Sequence, residues 1–403
     1  MISRCKDVNI LSIPFIVSSI ENYMLNRGAK GRERKDIRDL YAKYGTNEEI
    51  AVMLLEGLWK ARKTGTLNLK PVRYTKRYDK GSGKWRDITV EDVVRQLYEQ
   101  IAVDALKDAT ACVGKYQCTC LKNETKLLFD RDHKPVLDEN GNQKTKLVGR
   151  GQIWAEDAVS NWMAEDRIRQ IVKGDIYHNY GSIVHEDLFR YLEHRVRNWW
   201  VIFLIHLLMD EFGPVGLPIG SVLSITLDAI YLSQIYHHML EGCYRIRKHR
   251  NGKTERVNLV EHELMWMDDI YLFCTSKKNA EAAKKELIRY TKTLDLVIKP
   301  SIRTIDKIDP PQHPNIHQAK QSYVDTVGYR VYPDHTTIRR KNYITAKRNL
   351  KRGAKHMTLK RAQSIMSQRG SIMHSDSYRF RKKYKTKKIW KLARKVIRDN
   401  AES

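Results

Sequence analysis

The apolar stretch HELMWMDDIYLFCTS, residues His262 to Ser276, is interrupted by two adjacent carboxylates, Asp268 and Asp269, and then resumes at once. Burying an unpaired carboxylate costs several kcal/mol. A pair set inside such a run therefore caps a turn, the commoner use of Asp, or holds a cation. A third carboxylate, Asp175 in IVKGDIYHNYGSIVHEDLFRYL, closes a short apolar and basic run and precedes a helical pattern. Three carboxylates at strand ends can hold two divalent ions for phosphoryl transfer, one activating the attacking oxygen and one stabilising the leaving group.

The elements that must position these acids alternate between strand-like and helical from Ile171 to about Arg330, the pattern of an α+β sheet domain. Between the acidic segments, FGPVGLPIGSVLSITLDAIYLSQIYHHM is a Gly/Pro-rich loop entering a long apolar helix. Such a loop lets backbone amides approach a phosphate or a base pair closely. Residues 1–70 read as helical, with a helix opening at Asn47. VRYTKRYDKGSGKWRDITVEDVVRQL reads as a hairpin feeding a helix near Val93, and an inserted surface hairpin is expected near 125–147. From Arg339 to the end the chain is helical in pattern and densely basic. It carries no internal repeat and no low-complexity linker.

With 403 residues and 41% hydrophobic content the chain can bury a large core around two or three subdomains. Its 74 Lys and Arg against 47 Asp and Glu leave a net charge of +27, which points to a polyanion, nucleic acid first. The longest apolar run, WWVIFLIHLLM from Trp199, is about half of the ~20 residues a membrane span needs and reads as a buried core helix. No membrane partner is expected. The N-terminus lacks the pattern of a secretory signal, so a cytoplasmic location is expected. Cys112, Cys118 and Cys120 cluster without a fourth ligand at zinc spacing and read as reduced thiols.

Five segments in order, and a sixth upstream of them, resemble the sequence blocks of reverse transcriptases. GDIYHNYGSI resembles the first palm block, with Asp175, Ile176 and Tyr180 at its acidic, aliphatic and aromatic places; GLPIGSVLS resembles the second and WMDD the third. LDLVIKPSIRTI is similar to the fourth, VGYRVYPDHTTIRRKN to the fifth or primer-grip region, and GKWRDI to the fingers block. The resemblance implies a right-hand polymerase of α+β class. N-terminal helices and fingers would occupy 1–170 with the inserted hairpin, a palm of antiparallel sheet and helices 171–335, and a basic helical thumb 336–403.

By the same resemblance Asp175, Asp268 and Asp269 are catalytic and hold two Mg²⁺ ions, with Mn²⁺ as a substitute. Asp269 would be the weaker ligand, and Ile176 would lend a backbone carbonyl. Lys84 and Arg86 would grip the triphosphate, Tyr180 would lie under the deoxyribose, and Ile219 and Gly220 would face the nascent pair. Trp266, Gly328 and Tyr329 would contact primer and template, and Arg379, Arg381, Lys382 and Lys383 in the tail would contact their phosphates. The basic residue of the fourth block is either Lys299 or Arg303. Trp266 replaces the usual Tyr, Ile219 a common Gln, and Asn179 and Gly181 the commoner Phe and Pro, the last two read as packing variation.

The implied reaction is RNA-directed DNA synthesis from dNTPs on an RNA template, giving cDNA. No ribonuclease H, integrase or endonuclease segment is expected. Two kinds of prokaryotic relative fit. Antiviral defence enzymes work with a dedicated noncoding RNA; diversity-generating retroelement enzymes share an Ile in the second block but continue it differently from IGSVLSI. Defence is the first expectation, with an accessory protein or a homo-oligomer as further partners. An idle nucleic-acid-binding protein on a polymerase fold is the contrasting reading.

Overall fold

The computed structural model describes residues 5–27, 31, 33–79, 83–117, 121–127, 135, 137, 143, 145–149, 151–308 and 322–400. Cys118, Cys120 and much of the segment expected as an inserted hairpin lie outside them. The chain divides into two compact units: one built from Met1–Gly149, Ile176–His238 and Leu287–Lys299, the other from Arg150–Asp175, Met239–Glu286 and Pro300–Ser403.

The first unit is mostly helical. Helix Asn47–Thr64 begins where the sequence places it, because Thr46 and Glu49 form a reciprocal capping box, and it ends at Gly65 in the left-handed conformation. Its buried stripe of Ile50, Leu54, Leu58 and Ala61 packs with Ile16 and Ile20 of helix Ile13–Leu25 and with Leu97 and Ile101 of helix Val93–Ala105 in one core. Gly57 leaves room for the Tyr98 hydroxyl, which donates to the Leu54 carbonyl at 2.9 Å; a Cβ at Gly57 would stand 2.2 Å from that oxygen. Helix Trp199–Met209 is the apolar run. It buries Val201, Leu204, Ile205 and Leu208, but its first residue is not core: Trp199 is 57% exposed and stacks on Phe203.

Two hairpins extend this unit. Strands β1 (Arg73–Asp79) and β2 (Lys84–Val90) pair antiparallel, Asp79 opposite Lys84 and Arg77 opposite Arg86. Because side chains alternate along a strand, Arg73, Arg77, Lys84 and Arg86 share one face, while Tyr74, Tyr78 and Trp85 share the other. The expected inserted hairpin pairs β3 (Lys122–Leu127) with β4 (Thr145–Gly149).

The second unit is built on a four-stranded antiparallel sheet of β5 (Gln170–Asp175), β8 (His262–Trp266), β9 (Asp269–Cys274) and β10 (Arg303–Asp306), in the order β10-β5-β9-β8. Between β5 and β8 the chain adds a hairpin of β6 (Tyr244–Lys248) and β7 (Thr254–Asn258). A three-stranded meander, β11 (Val324–Thr326), β12 (Tyr329–Val331) and β13 (Thr336–Ile338), leads into the basic tail. That tail folds as helices Arg340–Lys355, Leu359–Met373, Tyr378–Lys383 and Thr386–Asp399. Their core is Leu350, Ile365, Ile372, Phe380, Ile389 and Trp390, so the apolar minority of a strongly cationic segment is enough to bundle it.

Among the described residues Cys5, Cys112, Cys243 and Cys274 take part in no disulfide, and no helix is long and apolar enough to cross a membrane.

Candidate active site

β8 and β9 are joined by the two-residue turn Met267–Asp268, since Trp266 pairs with Asp269 in the ladder. Met267 takes a left-handed φ of 53°, a conformation that costs a long side chain energy and is kept only where the surroundings over-determine it. Asp268 thus sits in the turn and Asp269 is the first residue of β9. On the neighbouring strand Asp175 is the last residue of β5 and the direct register partner of Asp269. Alternation then places Asp175 and Lys173 of β5, Asp269 and Tyr271 of β9, and Trp266 of β8 on one face of the sheet.

Asp269 feels its acidic neighbours. Burial first, then Asp268 and Asp175, push the Asp269 carboxyl up to about 6, against the lowering influence of Lys173 and Arg339. A divalent cation would relieve that repulsion, and three carboxylate donors of this kind suit a hard ion such as Mg²⁺. Among the described residues no group of three or more His, Cys, Asp and Glu side chains is already closed up as a metal cage. The donor set still fits, because Mg²⁺ takes one or two protein carboxylates and completes its shell with water and substrate phosphates.

The ground behind the acids holds residues that the sequence reading missed. Lys173 donates from Nζ to the Asp325 carbonyl at 2.7 Å, and Tyr271 donates to the same oxygen at 3.1 Å. Burial pulls the Lys173 ammonium down while Asp269 and Asp325 raise it. Arg339 makes a salt bridge to the Asp325 carboxylate. A signal for Lys173 was available, as it stands two residues before Asp175 and so must share its face. None existed for Asp325 and Arg339, which reach this place only through the three-stranded meander.

The remaining expected residues of the first two blocks lie in the first unit. Ile176 is fully buried, and its backbone bridges to Ile298. Tyr180 is half-buried, and its carbonyl accepts from Leu217 N at 2.6 Å, which ties the first block to the Gly/Pro loop of the second. In that loop Ile219 and Gly220 are exposed, Gly220 at φ 122°. Lys84 and Arg86 are exposed on the cationic face of the β1–β2 hairpin. Asn179, expected as packing variation, does more. Its buried side chain donates to Asp228 Oδ1 at 2.7 Å, so it carries a polar link that an apolar residue could not make.

In the second unit Arg303 lies opposite Lys173 in the ladder, while Lys299 follows Ile298, the bridge partner of Ile176, in the first. The register brings both next to the first block and does not choose between them. Gly328 forms the β11–β12 turn at φ 92°; Tyr329, expected at the primer, is 2% exposed as a whole residue on the central strand of the meander, so it presents no open surface to nucleic acid. In the tail Arg379, Lys382 and Lys383 are exposed, whereas Arg381 is half-buried and donates to the Met373 sulfur. Trp390 belongs to the core beneath the Arg369 guanidinium, Tyr384 packs on Phe380, and Tyr378 stands 66% exposed.

An α+β polymerase fold presenting a strand-turn of carboxylates defines the class of this protein, a nucleotidyltransferase. A family model described as reverse transcriptase (RNA-dependent DNA polymerase) matches residues 77–301, more than half of the chain. The chain belongs to that family and is an RNA-directed DNA polymerase, which acts on an RNA template and dNTPs. No curated protein matches it.

Proposed function

We propose that this reverse transcriptase joins nucleotides at Asp175, Asp268 and Asp269, which would hold two Mg²⁺ ions with the Ile176 carbonyl. The observation that carries this reading is the pairing of Asp175 with Asp269 beside the Asp268 turn. Bound there, the ions would supply charge stabilisation to the attacking and leaving oxygens. Lys84 and Arg86 hold the triphosphate, Arg86 by a bidentate fork; Tyr180 meets the sugar, and Ile219 and Gly220 the nascent pair. Trp266 and Gly328 meet the primer end, with Tyr329 supporting Gly328 from within the meander, and the basic helical tail grips phosphates as a thumb. Fingers over 1–170, palm over 171–335 and thumb over 336–403 belong to this reading, whereas the two compact units divide the chain at other residues. Primer extension on an RNA template with Mg²⁺ tests the reading, with the Asp268→Asn/Asp269→Asn variant as control. Equal synthesis by that variant sinks it.

We place the enzyme in antiviral defence with a dedicated noncoding RNA as template, in the cytoplasm. The support is the second block, where Ser221 and Ile225 stand at places that diversity-generating enzymes fill otherwise, together with a tail suited to a structured RNA. Sequencing the RNA that copurifies with the chain decides this. One dominant small RNA supports the defence reading; a repeat-derived transcript supports diversification.

A further inference from the structure

The second-block loop rests on an acid pair. Thr89, next to last in β2, donates to the Ile219 carbonyl from N at 2.8 Å and from Oγ1 at 3.0 Å. Gly220 lies flat against the same strand, and a Cβ there would stand 3.0 Å from the Thr89 carbonyl, at a φ that L residues rarely adopt. Two residues further, Val222 N donates to Glu99 Oε2 at 3.2 Å, and the Ser221 side chain hydrogen-bonds Glu99 as well. Glu91, just past β2, lies in hydrogen-bonding reach of both Glu99 and the Thr89 hydroxyl.

Both carboxyls are buried, Glu91 at 4% and Glu99 at 0% exposure. Oε1 of each finds no donor among the N–H and O–H groups around it. Arg95, the neighbouring cation, spends its terminal nitrogens elsewhere, Nη1 on the Leu208 carbonyl at 3.1 Å and Nη2 on Glu211; its Nε makes no hydrogen bond, so it acts on the two carboxyls by charge alone. Two touching carboxyls in so dry a place cannot both ionise. A single proton between them satisfies the two leftover oxygens together.

We propose that Glu91 and Glu99 share one proton and act as a positioning latch, tying the loop Ile219–Val222 to the strand that carries Lys84 and Arg86. The latch gives the two groups of nucleotide-facing residues one common geometry. It rests on the assignment of Lys84, Arg86, Ile219 and Gly220 to the nucleotide site.

The test compares the full chain with Glu99→Gln, whose amide hydrogen replaces the shared proton, and with Glu99→Leu, which removes both links. Hydrogen exchange over residues 217–225 reads the latch, and single-nucleotide addition reads its consequence. Glu99→Gln should match the parent. Glu99→Leu should exchange about tenfold faster in the loop and raise the dNTP KM by about tenfold with kcat within about threefold, the cost of a lost buried hydrogen bond. Unchanged loop exchange in Glu99→Leu overturns the latch. Faster exchange with an unchanged KM keeps the latch and overturns the nucleotide assignment instead.

Should Glu99→Leu not fold, a pH series on the parent and Glu99→Gln decides. Burial, then Glu91, pushes the Glu99 carboxyl up to about 8. The charged groups around it are Glu91 and Arg95, with Asp92 beside Glu91 and Glu211 behind Arg95; from the loop side come only the Ser221 hydroxyl and the Val222 amide. Raising the pH through 8 removes the shared proton, so the parent's loop should lose protection relative to Glu99→Gln at the same pH. A difference that does not change between pH 7 and 9 overturns the latch.

Discussion

Asp175 and Asp269 stand directly opposite each other on adjacent antiparallel strands, one ending β5 and the other beginning β9. Two carboxylates brought this close on a sheet are held against their own repulsion, and burial pushes the Asp269 carboxyl up to about 6. Keeping this charge on the sheet therefore costs the hairpin local stability.

Asp268→Asn together with Asp269→Asn should remove nucleotide addition while leaving the fold and RNA binding intact. Neutral amides relieve the repulsion but hold Mg²⁺ poorly, so a fall of about a thousandfold in rate is expected, several kcal/mol of lost charge stabilisation. Circular dichroism and filter binding should give parent values. Retained synthesis would remove these two residues from the chemistry.

Lys173 sits behind the acids with its ammonium on the Asp325 carbonyl at 2.7 Å. Lys173→Met keeps the length of the chain but removes a buried cation and leaves that carbonyl with one donor fewer. A loss of about 1–3 kcal/mol in stability is expected from the lost hydrogen bond of a charged donor, although Tyr271 still donates to that oxygen. The Mg²⁺ concentration for half-maximal extension should fall, because the face around Asp269 becomes more negative. A rise in that concentration would show that Lys173 organises the acids more than it neutralises them.

Tyr180 is half-buried, with its carbonyl fixed by Leu217 N. Tyr180→Ala should make room for a 2′-hydroxyl and raise ribonucleotide use relative to deoxyribonucleotide use, at some loss of overall rate. The ratio of the two kcat/KM values measures it, since discrimination is a difference in transition-state binding. An unchanged ratio would place the ring elsewhere.

The acidic turn was legible in the sequence because a doubled Asp inside an apolar run has few physical excuses. The hairpin at 73–90 and the helix from Asn47 were legible too, through turn glycines and a capping box that act within a few residues. What stayed hidden depends on pairings distant along the chain. Asn179 reaches Asp228 49 residues away, and Lys173 reaches Asp325 152 residues away. Nothing in local periodicity announces either contact. The exposed Trp199 shows the converse error, because an unbroken apolar run gives no sign of which end of its helix meets solvent.

In the tail, the bundle core takes Trp390 and Phe380 and leaves Arg379, Lys382 and Lys383 on the outside. Like charges this close repel unless something neutralises them, and a phosphate backbone does so while releasing counterions. Each phosphate contact contributes about 0.7 to 0.9 to the slope of log affinity against log salt. Replacing Arg379, Arg381, Lys382 and Lys383 by Ala should flatten that slope by about 2 to 3, with the smallest share from Arg381, whose guanidinium is half-buried against Met373. Processivity should fall more than single-nucleotide addition, because the acids on the β5–β9 face are untouched. Tyr378→Ala, in contrast, removes an exposed ring and no charge; it should weaken binding to single strands by about 1–3 kcal/mol without altering the slope. A quadruple variant with the parent's slope would make this run an ordinary solvated helix face, and the grip on the duplex would belong to other residues.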